Sequence, residues 1–437
     1  MRNTKAVQIA FYTILGFIPL ILWLLGEGQQ FIFRDYYSTL TTLGKIAGIV
    51  GICLFAGNLI LSGRYQFFDW LFGGLDKLYL FHRRNGITAF IFLTTHFAAM
   101  TLRTLGESLA GFIAFLADVS YAPINFGKIG YYGFLVLIII TLFVKLKYER
   151  LKFLHTFMGV FLFFGGLHVF FIPSDIASNI PLRLYILTLV AIALISWLWR
   201  TVLKLWLVPR IKAEVVEVNN LGGSVTEVVM KPNQKVNFIP GQFIFVRFKQ
   251  SGFPFEDHPF SLTASTEEGR LRISAKAVGD FTKRLPELKP KSLAFIQGPF
   301  GGFSFTKSEN KKQIWIAGGI GITPFMSMAR TLRDRRGDPT FDGYDIHLLH
   351  SGQTEQDLVY KKELEQITSL IPGFRFHPWV TERQGYISAD SIEKIISAND
   401  REIYICGPKP MMMSLKAQFV ARGVPKDHID FELFKLL

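Results

Sequence analysis

Six stretches of this chain are long and apolar enough to cross a bilayer, which takes about 20 such residues as helix. They lie near residues 6–26, 40–62, 81–103, 126–146, 152–172 and 183–207. Hydrocarbon offers no partner to backbone N–H and C=O groups, so a spanning segment must satisfy them internally as a helix. The first run follows a short basic start and lacks a small-residue cleavage pattern, so it reads as a retained span. After about residue 207 the apolar runs shorten, and the remainder reads as an ordinary soluble α/β protein.

The charges orient the spans. With the N-terminus inside, the inner positions hold Arg2, Lys5, Arg64, Lys77, Arg83, Arg84, Lys145, Lys147, Arg150 and Lys152. The outer loops offer Arg34, Arg103, Lys128 and Arg183. That bias places both termini and the whole soluble half in the cytoplasm of a cell whose plasma membrane holds the chain. The formal net charge of +14 is largely accounted for by cations at the membrane edges, which argues against nucleic acid as a partner. Two cysteines far apart in sequence, Cys53 and Cys406, give neither a disulfide framework nor a cysteine metal site.

Two of the apolar runs carry histidine, a costly residue in lipid and a functional candidate for that reason. His82 and His96 stand fourteen apart in the third span; His155 and His168 stand thirteen apart in the fifth. On a helix, fourteen residues climb ~21 Å in nearly four turns, so both rings leave one face. The two spans run the same way, which sets His82 level with His155 and His96 with His168. Each pair is able to ligate the iron of a haem from both sides, one haem near each leaflet. Packed histidines or a proton relay are the alternatives. Thirteen residues of ideal helix leave the second pair of rings out of line by more than a third of a turn, and Gly165-Gly166 is the expected place for a distortion. Lys45, near the outer end of the second span, is either a lysine snorkelling to the interface or a cation facing the outer haem.

From Ile211 the pattern becomes short alternating runs, AEVVEV, SVTEVVM, FIFVRF, LRISAKAV and LAFIQG, as in a small antiparallel barrel ending near Phe305. Beyond Lys307–Lys312 strands alternate with helices (QIWIAG, DIHLLHS, EIYICG), which implies a parallel sheet covered on both faces. The chain therefore divides into residues 1–207, 208–306 and 307–437.

Three clusters in the soluble half carry chemistry. IPGQF, with Gly241 and Gln242, precedes HPFSLTAS, His258 to Ser265; the latter resembles the flavin motif of the ferredoxin–NADP reductase superfamily. That resemblance puts Phe260 on the isoalloxazine, Ser261 at its N5 edge and His258, beside Pro259, near the pyrophosphate. KAVGDFTKRL follows, with Lys276, and its Gly279, Asp280, Phe281 and Thr282 open a helix whose free amides favour a phosphate. The third cluster, WIAGGIGITPFMSM, runs strand, glycine turn, helix. Gly318, Gly319 and Gly321 let backbone approach a dinucleotide, and Thr323-Pro324 starts the helix beneath its phosphates. YICGP supplies Cys406, Gly407 and Pro408; Cys406 matches a position beside the nicotinamide in that superfamily, or is simply a small buried hydrophobe.

Spans, histidine pairs, HPFS, GGIGITPF, CGP and a terminal aromatic, in that order, resemble the NADPH oxidase/ferric reductase family from about residue 40 onward. The resemblance implies a six-helix membrane bundle followed by a cytoplasmic ferredoxin–NADP reductase-like module, with an antiparallel β-barrel for FAD and an α/β Rossmann-like domain for NADPH. It implies two b-type haems, His82 and His155 on the inner and His96 and His168 on the outer, and a terminal aromatic, Phe434 ahead of Phe431, over the flavin. Where NADPH-preferring relatives have an arginine, this chain has Gln353; Arg383 on a neighbouring loop is the substitute, with NADH also expected to serve. Lys45 aligns with an arginine near the outer haem, and Met100 stands where a second histidine often follows. The expected activity is electron transfer from NADPH to an external acceptor, O2 giving superoxide or a ferric chelate. The alternative from another class is a haem carrier whose dehydrogenase module is inactive. Oligomeric state is not legible in the sequence.

Overall fold

The computed structural model describes residues 4–26, 33–63, 65–117, 119–144, 146, 148–201, 203 and 210–432. Phe434 lies outside the described residues, as do Arg2, Arg64, Lys145 and Lys147 among the inner cations. The chain forms two compact units, the first from residues 3–72 and 77–208, the second mainly from residues 209–437.

Among the described residues of the first unit six helices are long and apolar enough to span a membrane: α1 (Lys5–Leu24), α2 (Tyr36–Leu61), α3 (Lys77–Glu107), α4 (Ala122–Phe143), α5 (Arg150–Phe171) and α6 (Ile180–Thr201). In α2, 67% of the most apolar window is buried, against 17–28% in the other five, so α2 is the central post. Small residues make that position possible. A Cβ on Gly51 would sit 2.8 Å from Leu93 of α3, and one on Gly57 would collide with Leu15 of α1. Lipid tails are as apolar as leucine, so close backbone approach holds such a bundle together where hydrophobic burial does not. The outward faces keep Ile91, Val136, Phe163 and Ile195 exposed.

The fifth span is one apolar run but not one continuous helix. Helix runs from Tyr148 to His155, breaks at Thr156-Phe157, and resumes as Met158–Phe171. The carbonyl freed at Thr156 accepts a hydrogen bond from Trp197 Nε1 of α6 at 2.7 Å. Gly159 leaves room for that indole, since a Cβ there would lie 2.1 Å from its ring. A break compensated by a side chain of the next helix is an identifiable cause for a change of direction. The expected distortion at Gly165-Gly166 does not occur; both lie in regular helix, packed against Gly130 and Val190.

The second unit begins with a six-stranded antiparallel sheet in the order β4-β3-β6-β1-β2-β5. Its strands are β1 (Ile211–Gly222), β2 (Val225–Pro232), β3 (Phe243–Lys249), β4 (His258–Ser261), β5 (Leu271–Lys276) and β6 (Leu293–Phe300). The short helix α7 (Asp280–Lys283) follows β5. A five-stranded sheet comes next, parallel throughout, in the order β11-β10-β7-β8-β9. It consists of β7 (Lys312–Gly318), β8 (Asp345–Gly352), β9 (Phe374–Val380), β10 (Glu402–Cys406) and β11 (Ile429–Glu432), with α8 (Thr323–Asp334), α9 (Lys361–Leu370) and α10 (Lys409–Ala421) between strands. The strands β9 and β11 extend the alternation beyond the three expected. The chain leaves β7 to one side for β8 and returns on the other as β10. A parallel sheet holds ligands at such a reversal, beyond the carboxyl ends of the strands.

A buried charge network ties the two lobes of this unit. Arg330 of α8 makes two 2.7 Å bonds to Glu363 of α9 and donates to the Thr263 carbonyl of the barrel at 2.8 Å. Glu227 of β2 accepts from the Tyr360 hydroxyl at 3.0 Å and from Arg272 at 3.3 Å. Removing one partner from such a network leaves its carboxylates uncompensated, at about 3–5 kcal/mol. Arg330→Met is therefore expected to lower the thermal unfolding midpoint of the purified protein by several degrees. Arg335→Met, at a guanidinium 40% exposed beside Glu267, should change it little.

Candidate redox site

The four membrane histidines form two similar pairs. His82 and His155 have ring centroids 6.3 Å apart at an interplanar angle of 63°; His96 and His168 are also 6.3 Å apart, at 61°. Two metal–nitrogen bonds of about 2.0 Å each, plus the radii of two five-membered rings, fill that spacing. The break at Thr156-Phe157 absorbs the odd residue in the fifth span, and so both pairs face each other. The outer rings are also anchored. His96 Nδ1 donates to the Gly44 carbonyl at 2.7 Å and His168 Nδ1 to that of Pro123 at 2.8 Å. A carbonyl only accepts, so the proton is on Nδ1 and the Nε2 lone pair is left for a metal.

Lys45 does not stand as an unpaired cation. Its ammonium lies 3.0 Å from Asp175, which also accepts from Trp23 Nε1 at 2.9 Å. Asp175 was not among the expected site residues; nothing in the sequence links positions 45 and 175 before the helices are packed.

In the barrel, Gly241 has φ +96°, and a Cβ there would lie 2.1 Å from the Phe303 carbonyl, so the position requires glycine. Gln242 Nε2 donates to the Gly301 carbonyl at 3.0 Å. His258, Pro259, Phe260 and Ser261 form β4, and the His258 ring lies 3.9 Å from that of Phe281. Phe281 itself is buried in the barrel core with Phe248 and Phe253, so only its backbone is available to a phosphate. The amides of Val278 and Gly279 donate to the Thr282 hydroxyl at 3.1 and 3.0 Å. Asp280 opens α7. Lys276 pairs with Asp357 of the second lobe at 2.8 Å, and Ser265 is buried, accepting from the Glu267 amide at 3.2 Å.

At the reversal of the parallel sheet the glycines permit close backbone packing. A Cβ on Gly321 would lie 2.3 Å from the Cys406 carbonyl, and one on Gly407 3.0 Å from Gly318. The ends of β7 and β10 thus approach backbone to backbone, with Cys406 buried and Pro408 capping α10. Thr323 and Pro324 start α8 under the turn. Gln353 follows β8 and Arg383 lies in the helical turn Thr381–Gln384 after β9; the two segments meet where the Glu382 amide donates to the Gln353 carbonyl at 3.2 Å. Arg383 faces Glu355 at 3.5 Å, and Lys361 pairs with the same carboxylate.

Two residues outside the expectations join these sites. Phe431 packs beneath Lys416, whose ammonium is 4.4 Å from the ring centre. The next residue along β11, Glu432, is buried, and its carboxylate is 3.5 Å from the Ser261 hydroxyl. The F-E-x-F pattern contains this carboxylate, but reading the pattern for its aromatics passes over it. The second is His350, fully buried at the end of β8, whose Nε2 donates to the Gly319 carbonyl of the glycine turn at 3.0 Å. Burial pushes its pKa down to about 4, against the opposing pull of that carbonyl. Between pH 6.5 and about 4 the unfolded chain takes up a proton that the folded one refuses, so stability falls as pH falls, by about 1.4 kcal/mol per unit. His350→Asn should flatten that part of the dependence, read as unfolding midpoints at pH 7.5, 6 and 5.

Three protein families match the chain. Residues 47–166 match the ferric reductase-like transmembrane component, residues 210–321 an FAD-binding domain, and residues 315–417 the oxidoreductase NAD-binding domain. The glycine betaine monooxygenase reductase subunit of Chromohalobacter salexigens is 29% identical over 47% of this chain and 56% of its own length. The flavohemoprotein of Bacillus anthracis is 25% identical over 48% and 57%. The chain thus spans just over half the length of these curated relatives. Among solved structures, the flavohem-like FAD/NAD-binding domain of nitric oxide dioxygenase from Vibrio cholerae aligns at TM-score 0.45 and 22% identity, covering 51% of this chain and 97% of that one. A ferric reductase-like membrane component followed by FAD- and NAD-binding domains is the architecture of the NADPH oxidase/ferric reductase family, and this oxidoreductase has that architecture.

Proposed function

We propose that this chain is an NADPH oxidase of the plasma membrane, with both termini cytoplasmic, which takes hydride from NADPH inside and delivers single electrons to O2 outside, giving superoxide. The observation that carries the reading is the pair of histidine pairs, each spaced for one iron between two imidazoles. When bound, FAD accepts two electrons together and releases them singly, and two b-type haems carry one electron each. The protein's part is to bind, orient and exclude. His82 with His155 and His96 with His168 would hold one haem iron each, and with two imidazoles given to each iron the external acceptor would react without binding it. The turn Gly318–Gly321, with open space over Gly319, lets the backbone approach a dinucleotide at the sheet reversal, and Ser261, with Glu432 behind it, presents a hydroxyl at the flavin edge. Arg383 is the cation assigned to the 2′-phosphate, and its pairing with Glu355 supports use of NADH as well.

A second reading, ferric-chelate reduction, is favoured by the state of Lys45. Its charge is matched by Asp175, which leaves that position poorly suited to holding superoxide's negative charge.

Purified protein should show two low-spin haems and one flavin per chain, and His96→Leu or His168→Leu should each remove one haem. An optical spectrum and cofactor assay check this; unchanged haem content in either variant would overturn the axial assignment. Membranes given NADPH should reduce cytochrome c outside in a manner abolished by superoxide dismutase. Reduction of ferric citrate that dismutase leaves untouched, with no superoxide signal, would transfer the assignment to a ferric reductase. No NADPH turnover at all would point to a haem carrier.

A further inference from the structure

The two histidine pairs are alike in spacing and unlike in support. Both outer rings are tethered in the same way. His96 reaches the Gly44 carbonyl and His168 that of Pro123, and in each case the residue four positions further along the acceptor helix is glycine, Gly48 on α2 and Gly127 on α4. In a helix the carbonyl of residue i points toward the amide of residue i+4, so a side chain at i+4 stands over its approach. A Cβ on Gly48 would lie 2.8 Å from His96 Nδ1, and one on Gly127 2.9 Å from His168 Nδ1. Each glycine is the clearance that lets an imidazole share a carbonyl already used inside the helix. The inner pair is built differently. His82 Nδ1 is buried beside the Asn58 carbonyl but makes no hydrogen bond of normal geometry to it, and the residue four positions on from Asn58 is Ser62 rather than glycine.

We infer that Gly44, Gly48, Pro123 and Gly127 are positioning residues that make the outer metal centre the lower in reduction potential. The inference rests on the haem assignment proposed above. An imidazole donating its Nδ1 proton to a carbonyl is a stronger electron donor through Nε2, which favours the oxidised metal. Both outer ligands have that bond at normal length, 2.7 and 2.8 Å, whereas the contact of His82 with the Asn58 carbonyl falls short of hydrogen-bond geometry. The centre at which electrons leave is thereby the stronger reductant, which suits delivery to an acceptor as hard to reduce by one electron as O2.

A redox titration of the purified protein, followed optically and by low-temperature electron paramagnetic resonance, tests this. Two midpoints are expected, and the lower one should vanish in His96→Leu, which identifies it as the outer centre. Gly48→Ala and Gly127→Ala should each raise that midpoint and alter its resonance while leaving the other centre unchanged. Gly133→Ala, whose Cβ would strike the Phe161 ring rather than a histidine, controls for packing damage and should shift neither. If the higher midpoint is lost in His96→Leu, or if both cradle variants leave both midpoints in place, the inference is wrong. Should Gly48→Ala not assemble, the wild-type and His96→Leu titrations still decide the order. Absence of haem from the wild-type protein would overturn the proposed function instead, a distinct result.

Discussion

An imidazole placed in hydrocarbon has two nitrogens to satisfy, and the membrane unit is organised around that requirement. In His96 and His168 one nitrogen takes a carbonyl from a helix whose carbonyls are already engaged, which leaves the other open. Glycine is the residue that opens such a carbonyl from the side. Other glycines of α2, Gly51 and Gly57, let it stand close to its neighbours, so the packing of the bundle and the support of His96 and His168 draw on one residue type. The break in the fifth span belongs to the same set of compensations. It turns His168 toward His96 while His155 keeps facing His82, and Trp197 takes up the carbonyl it frees.

The soluble unit meets a different demand. Two lobes, each with its own core, must hold two dinucleotide sites in fixed relation, and apolar contact alone sets angle poorly because it has no direction. The Glu227–Arg330–Glu363 network supplies direction: a bidentate guanidinium has one good geometry, and its third bond ends on the barrel backbone at Thr263. Lys276 pairing with Asp357 adds a second tie between the same lobes. Tyr360, which donates to Glu227, holds a left-handed backbone angle of +68°, uncommon for a bulky residue.

Much of this was legible in the chain. The spans are read from length and hydropathy, because a helix in lipid answers to few other constraints. The glycine turn at Gly318–Gly321 and the HPFS strand are local, each needing only neighbours in sequence to be recognised. Less visible were partners brought together by packing: Asp175 for Lys45, Glu432 for Ser261, Gly44 and Pro123 for the outer rings. Phe281 is instructive in the other direction. Its place in a glycine-led turn suggested a binding residue; the short helix Asp280–Lys283 turns its ring into the barrel core and leaves the backbone for that role.

What the order of residues sufficed to specify is the inventory: six apolar helices, four histidines in two of them, and the glycine turns of a flavin and nicotinamide module. Each follows from a local rule, whether the thickness of a bilayer, the period of a helix, or the steric freedom of glycine. The relations between distant residues came from the folded chain alone. Two non-helical residues at Thr156-Phe157 change the direction in which every later side chain of the fifth span points, and no local rule placed the break there. Likewise a carbonyl becomes a second partner for histidine only when another helix is packed within about 3 Å of it. Such distances are properties of packing, and they separate the two histidine pairs that the sequence presents as equivalent.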